Sequence, residues 1–167
     1  TNDVTDMLQR IRELAVQAAN DTNSVEDRTF LQTEVNSLLQ EINRVATQTI
    51  YNNKVVLDGN LTGNFQVGTE KGQTISFDIK SIDTDTLELT DKTGDPTFAT
   101  GTYVIDADAA SDKTGTAGAI SILTATDATN SLEKISAALE QVAGNRAEYG
   151  ALQNRLEYTV SNLMNVA

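Results

Sequence analysis

The chain has 167 residues, 24 acidic against 12 basic side chains for a formal net charge of -12, and no His, Cys or Trp. That inventory removes cysteine nucleophiles, thiolate metal sites, histidine general bases and imidazole ligands. The acidic excess disfavours nucleic acid and anionic membrane, whose phosphates require clustered Lys and Arg.

The length fits one domain with its own core, and a chain without disulfides must hold itself together by packing. No window approaches the roughly 20 apolar residues of a membrane-spanning helix, and no signal pattern opens the chain. The helical pattern is under way close to Thr1 and runs through Leu163 and Val166 without a Gly or Pro stop, so both ends read as cuts through longer helices.

In chain order, Val4, Met7, Leu8, Ile11, Leu14 and Ala18 recur at three- and four-residue steps, which predicts a helix over about 3 to 19 with Gln9, Arg10, Glu13 and Gln17 turned outward. Asp21-Thr22-Asn23-Ser24 supplies a turn and an N-cap, and Glu26 and Asp27 suit a helix N-terminus. A second, antiparallel helix is expected from about Val25 to Thr49, with Phe30, Leu31, Val35, Leu38, Leu39, Ile42, Val45 and Ala46 on its apolar side and Glu34 and Glu41 on the other. Asn52-Asn53 is expected to form its exit, since Asn tolerates a positive φ.

From about Lys54 to Thr126 the period falls to two. Ile75, Phe77 and Ile79 alternate with polar residues, Leu87 and Leu89 flank Glu88, and Tyr103, Val104 and Ile105 offer a further strand. Turn chemistry lies at Asp58-Gly59, Gly63-Asn64, Lys71-Gly72 and Thr93-Gly94-Asp95-Pro96. Residues 106 to 119 are small, polar and acidic, the composition of an exposed loop.

Asp127 to Asn130 then opens a helix of about 37 to 40 residues, far beyond the usual length. Ile135, Val142, Tyr149, Leu156 and Leu163 fall seven apart. Arg146 and Gln153 interrupt the companion stripe of Leu132, Leu139 and Val160, which favours packing on this chain's own two N-terminal helices over a dimeric zipper. Gly144 and Gly150 are expected to permit close helix approach. The expected fold is α+β and mainly helical: an elongated three-helix rod with a small β-hairpin region inserted, divided as 1-53, 54-126 and 127-167.

Candidate chemistry is thin. Asp106, Asp108 and Asp112 lie loosely like a calcium loop but lack the Gly and the terminal Glu of an EF-hand. Asp83, Asp85 and Glu88 could be imagined as paired carboxylates, yet glycoside hydrolysis needs an enclosed cleft rich in aromatics. No catalytic, cofactor-binding or metal-binding residue is assigned, and no enzyme activity is expected.

Three stretches carry a resemblance. The run from Leu8 to Asn20, then Glu41-Ile42-Asn43-Arg44-Val45-Ala46, then Gln153-Asn154-Arg155-Leu156, resembles in order the rod-domain segments of bacterial flagellins. The similarity is strongest over residues 7 to 57 and 127 to 164. It implies a structural, secreted subunit of the extracellular flagellar filament, here the rod domain without the terminal helices that form the inner tube.

Implied partners are other flagellin subunits and, for the full-length protein, a secretion chaperone and a filament cap; the rod piece alone is expected to be monomeric and to enter no membrane. The resemblance also implies recognition by the vertebrate flagellin-sensing Toll-like receptor, with Gln9, Arg10, Leu14 and Glu34 at the matching positions. The alternative for Arg10 is a structural pairing with Glu13 or Glu34. Alternatives for the whole are a hook-filament junction protein, or a flagellin-like cell-surface module binding polysaccharide or a host surface.

Overall fold

The computed structural model describes residues 1–66, 72–89 and 120–166. The strand expected at Tyr103 to Ile105, the loop at 106 to 119, the turn at Thr93 to Pro96, and Asp106, Asp108 and Asp112 lie outside the described residues, as do Lys71 of its turn and the side chain of Leu163.

Helix α1 spans Asn2–Ala18 and α2 spans Val25–Gln48. Val4, Leu8, Ile11, Leu14, Ala15 and Ala18 of α1 are buried, as the three- and four-residue spacing requires. The turn between the helices closes its own polar groups. Asn23 Nδ2 donates to the carbonyls of Gln17 and Asn20, and Arg28 Nε donates to the Ala18 carbonyl at 2.9 Å, so the last oxygens of α1 are not left unpaired.

Ser24 then caps α2 with a complete capping box: its hydroxyl accepts from the Asp27 N–H, and the Asp27 carboxylate accepts from the Ser24 N–H. The Arg28 bond to Ala18 and the Arg10 bond to Glu34 both span the two antiparallel helices.

On α2 the buried line is Gln32, Val35, Leu39, Ile42 and Ala46. Phe30, expected on that line, is 74% exposed. At about 100° per residue it falls on the far side of α2 from Val35 and Leu39, and its apolar character alone placed it wrongly.

Helix α3 covers Ala125–Val166, 42 residues. The Thr124 hydroxyl accepts from the Asp127 N–H at 3.1 Å and donates to its carboxylate, a second cap of the same kind. Ala128, Ser131, Ile135, Ala138, Val142 and Asn145 form its buried stripe. Because α1 and α2 lie side by side rather than end to end, they cover only the first half of α3. Past Asn145 the same stripe continues as half-buried Tyr149, Leu152 and Leu156, and Val160 is 55% exposed. Leu156 is therefore a groove wall rather than a core position.

The expected close approach at Gly144 and Gly150 is not found: a Cβ built at either would meet nothing within 4 Å.

The β region consists, among the described residues, of two antiparallel pairs. Strands β1 (Ile50–Tyr51) and β2 (Lys54–Val55) pair across Asn52 and Asn53, both at positive φ, 49° and 63°. Two left-handed residues in a two-residue loop match the right-handed twist of a hairpin, so these asparagines make a β-turn. The exit of α2 is instead Thr49, in extended conformation directly after Gln48.

Strands β3 (Leu61–Gln66) and β4 (Thr74–Ile79) pair from Leu61↔Ile79 to Gln66↔Thr74. The turn expected at Gly63-Asn64 is in fact the middle of β3. Gly63 stands opposite Phe77, and a Cβ there would come 2.7 Å from the Phe77 ring, which stacks on Phe65 with centroids 4.8 Å apart. Gly63 makes room for that ring.

Leu87 and Leu89 are buried at 2% and 0% exposure, yet they are not in a strand. The Leu89 N–H bonds to the Thr84 carbonyl and the Glu88 N–H to that of Asp85, with Glu88 at φ 57°, the pattern that ends a helical turn with a left-handed residue. Asp83 starts the turn by accepting from the Thr86 N–H and the Ser81 hydroxyl, which gives this carboxylate a structural task. Two leucines one residue apart thus both face inward through a coil of the backbone, not through strand alternation.

Gln32 ties these parts together. It is 1% exposed; its Nε2 donates to the Ile120 carbonyl at 3.1 Å and to Asn36, and its Oε1 accepts from the Ile122 N–H at 2.7 Å. The side-chain amide so pairs with residues 120 and 122 as a neighbouring strand would. The Ile120 N–H in turn reaches the Leu89 carbonyl at 3.1 Å, so the two ends of the intervening stretch meet beside α2. Ser131 adds a two-way bond to the backbone of Ser121.

Gln32→Leu would leave a buried N–H and a buried C=O without a partner, at about 1 to 3 kcal/mol each. We expect a loss of at least about 2 kcal/mol in urea unfolding, and a loss below about 0.5 kcal/mol, the range of surface substitutions, would contradict the assignment. Gly144→Ala and Gly150→Ala should each raise stability by about 1 kcal/mol, because open space surrounds both and only the helix-interior penalty of Gly is removed. A drop in the urea midpoint for either would mean that the site is not open.

Candidate functional site

The chain has no His or Cys, and among the described residues no group of carboxylates is placed to hold a metal ion; two surfaces stand out. Among those residues, no helix is long and apolar enough to cross a membrane.

One surface is the outer side of the α1–α2 pair. Arg10 lies on α1 between the buried Leu8 and Ile11 and so projects away from the core. Its Nε and Nη2 reach Glu34 Oε1 of α2 at 2.9 and 2.8 Å, and its Nη1 reaches Glu13 Oε2, one helical turn further on, at 3.1 Å. The side chains of Arg10, Glu34 and Glu13 are 50%, 43% and 69% exposed. The hydrogen bond to Glu34 and then that to Glu13 raise the Arg10 pKa, so the cation is permanent.

Gln9 is exposed beside Arg10, whereas Leu14 is 1% exposed and belongs to the core. The structure therefore brings Arg10 and Glu34 together, leaves Gln9 exposed one position before Arg10, and puts Leu14 in the core. Glu13, absent from the expected site, joins it; the i, i+3 spacing from Arg10 was the available signal. A second ion pair of the same spacing, Arg44 with Glu41, continues along α2 and lowers the Glu41 pKa through its hydrogen bonds.

The other surface is apolar. The second half of α3 and the two hairpins flank a groove of about 840 Å³, with Tyr51, Phe65 and Phe77 on the hairpin side and Leu152, Leu156 and Met164 on the helix side. Tyr149 fixes its floor: the hydroxyl accepts from the Lys80 N–H at 3.1 Å and donates to the Lys80 carbonyl at 3.3 Å, while Lys80 Nζ pairs with Glu148. Burial is the main cause of the raised Tyr149 pKa, so the phenol stays protonated and keeps donating.

The described residues form a helical rod with one charged side and one apolar groove, two surfaces suited to protein contacts. Residues 1–62 match the family model described as the bacterial flagellin N-terminal helical region. The flagellin of Halalkalibacterium halodurans is 32% identical over 167 residues, covering 99% of this chain and 52% of that protein. Among solved structures, the flagellin of Bacillus cereus superposes with a TM-score of 0.68 at 26% identity over 96% of this chain and 78% of that one. FliC from Burkholderia pseudomallei gives 0.69 at 26% identity over 92% of this chain and 95% of that one. The chain belongs to the bacterial flagellin family, whose members are structural proteins of the extracellular flagellar filament and not enzymes. It spans about half the length of the Halalkalibacterium relative.

Acid should weaken the caps and surface pairs of this rod. The Asp27 pKa is lowered first by the Ser24 hydroxyl and then by the Ser24 backbone, and those of Glu41 and Asp58 are lowered by Arg44 and Asn60. A carboxyl depressed in the folded state stabilises above its unfolded pKa, and that contribution is lost as pH falls through its folded pKa. The melting temperature of Asp27→Asn should therefore fall less steeply than that of the parent chain below about pH 4. Parallel slopes in calorimetry across that range would show that the Asp27 cap contributes nothing there.

Proposed function

We propose that this chain is the rod portion of a secreted flagellar filament subunit, which joins copies of itself into a helical polymer that serves motility. Residues 1-53 and 127-167 would supply the rod and 54-126 the region inserted between them. The observation that carries the reading is a flagellin rod with two unlike surfaces, the ion-paired α1–α2 side and the apolar groove. A helical polymer needs heterologous contacts that do not close, hence two different faces rather than one self-complementary patch. The secretion chaperone and filament cap are further partners of the full-length protein on this reading.

The finer part of the proposal is recognition by the flagellin-sensing Toll-like receptor through Gln9, Arg10 and Glu34, with Leu14 holding their helix from beneath. An arginine that presents N–H groups at the surface while its stem packs on a helix is a suitable anchor for a protein partner. The resemblance of the Leu8 to Asn20 run to flagellins supports it.

Electron microscopy of the full-length polypeptide should show filaments, and soluble or amorphous material under polymerising conditions would count against the assembly reading. Arg10→Ala should reduce the response of a receptor reporter cell while leaving the melting temperature unchanged, because Arg10 is exposed and its truncation disturbs no core contact. An unaltered dose response with the folded variant would remove the receptor assignment.

A further inference from the structure

The entry to β3 carries a motif that neither surface uses. Asn60-Leu61-Thr62 has the pattern Asn-x-Ser/Thr, with no Pro at the middle position, of an N-linked sugar acceptor. We propose that Asn60 is a covalent modification site, which accepts one sugar or oligosaccharide at Nδ2 from a diphosphate-activated donor.

The surroundings of Asn60 carry the assignment. Asn60 and Thr62 are exposed while Leu61 between them is half-buried, so the chain turns the amide and the hydroxyl outward together, where a single transferase cleft can read both. The Asp58 carboxylate holds Asn60 twice, accepting from its backbone N–H at 3.1 Å and from Nδ2 at 3.0 Å, and so orients the side-chain amide at the surface.

Asn20-Asp21-Thr22 has the same pattern and a different setting. The Asn20 N–H donates to the Gln17 carbonyl, and the Asn20 carbonyl accepts from the Asn23 N–H, from Asn23 Nδ2 and from Arg28 Nη2. The backbone there is closed into a helical kind of turn, which sends side chains two apart to different sides. One motif is thus presented for reading and the other is folded away.

In the transfer a bond forms between Asn60 Nδ2 and the anomeric carbon of the sugar, and the bond from that carbon to the diphosphate oxygen breaks. The diphosphate leaves with the electron pair, and one Nδ2 proton passes to a base of the transferase. A nucleoside-diphosphate sugar and a lipid-linked sugar share this chemistry.

Tandem mass spectrometry of the chain recovered from its own cells should place a sugar on Asn60 and none on Asn20. Asn60→Gln and Thr62→Ala should each lose it completely and Thr62→Ser should keep it, all with an unchanged circular dichroism melt. A labelled nucleoside-diphosphate sugar in a membrane-free extract of those cells, and a labelled lipid-linked sugar with their membranes, tell the two donors apart. An unmodified Asn60, a sugar on the Thr62 hydroxyl or on Asn20 instead, a sugar that persists in Asn60→Gln, or label transferred in neither arm would overturn the proposal.

Discussion

The rod depends on one buried side-chain amide. Three helices that pack through apolar stripes can slide and rotate at small cost, because dispersion and area burial are not directional. Gln32 supplies direction. By pairing with both Ile120 and Ile122 it fixes where the chain re-enters the core, five and three residues before α3 begins at Ala125, and therefore where α3 lies against α1. A valine or leucine at that position would bury more apolar area and lose the register. The cost of placing an amide at 1% exposure is offset only because its donors and acceptor are all used.

The same constraint explains which features the sequence made legible. Helices α1, α2 and α3 could be read to within one or two residues at most ends because their burial repeats, and a stripe such as Val4, Leu8, Ile11 and Ala18 has no alternative explanation. The cap of α2 was legible as well, since Ser24 with Asp27 is a local chemical pattern, whereas α3, expected to open at Asp127 to Asn130, is capped by Thr124 and starts at Ala125. Three of the misreadings share a cause: two local patterns look alike, and a residue outside the pattern decides between them. Asn52-Asn53 suits a helix exit and a hairpin turn equally, and the pairing of Ile50 with Val55 selects the turn. Gly63-Asn64 has turn composition, but the Phe77 ring across the ladder needs the missing Cβ. Leu87 and Leu89 alternate like a strand, and only the Asp83 bonds reveal the coil.

The candidate site divides in the same way. Arg10 and Glu34 are 24 positions apart, so their contact required the antiparallel pairing of α1 and α2, which the turn residues did imply. Leu14 could not be both stripe and surface, and burial decided for the stripe. Gln32 was illegible for a plain reason. One glutamine among polar helix residues has no local signature of burial, and its partners lie 88 and 90 positions away.

The division of labour between the two surfaces follows from their chemistry. The Arg10, Glu13 and Glu34 cluster is wet, strongly polar and nearly irrelevant to folding, so its composition is free to be set by whatever docks there. The groove beside α3 is the converse: its wall is the continuation of the stripe that forms the core, from Val142 through Tyr149 and Leu152 to Leu156, and its apolar character comes from the same spacing that builds the rod. A substitution that made the groove polar would break the run of Tyr149, Leu152 and Leu156 that extends the stripe past Asn145, whereas Arg10 can change with little consequence for the fold. Variation in partner recognition is therefore physically easiest on the charged side, where no packing depends on the side chain.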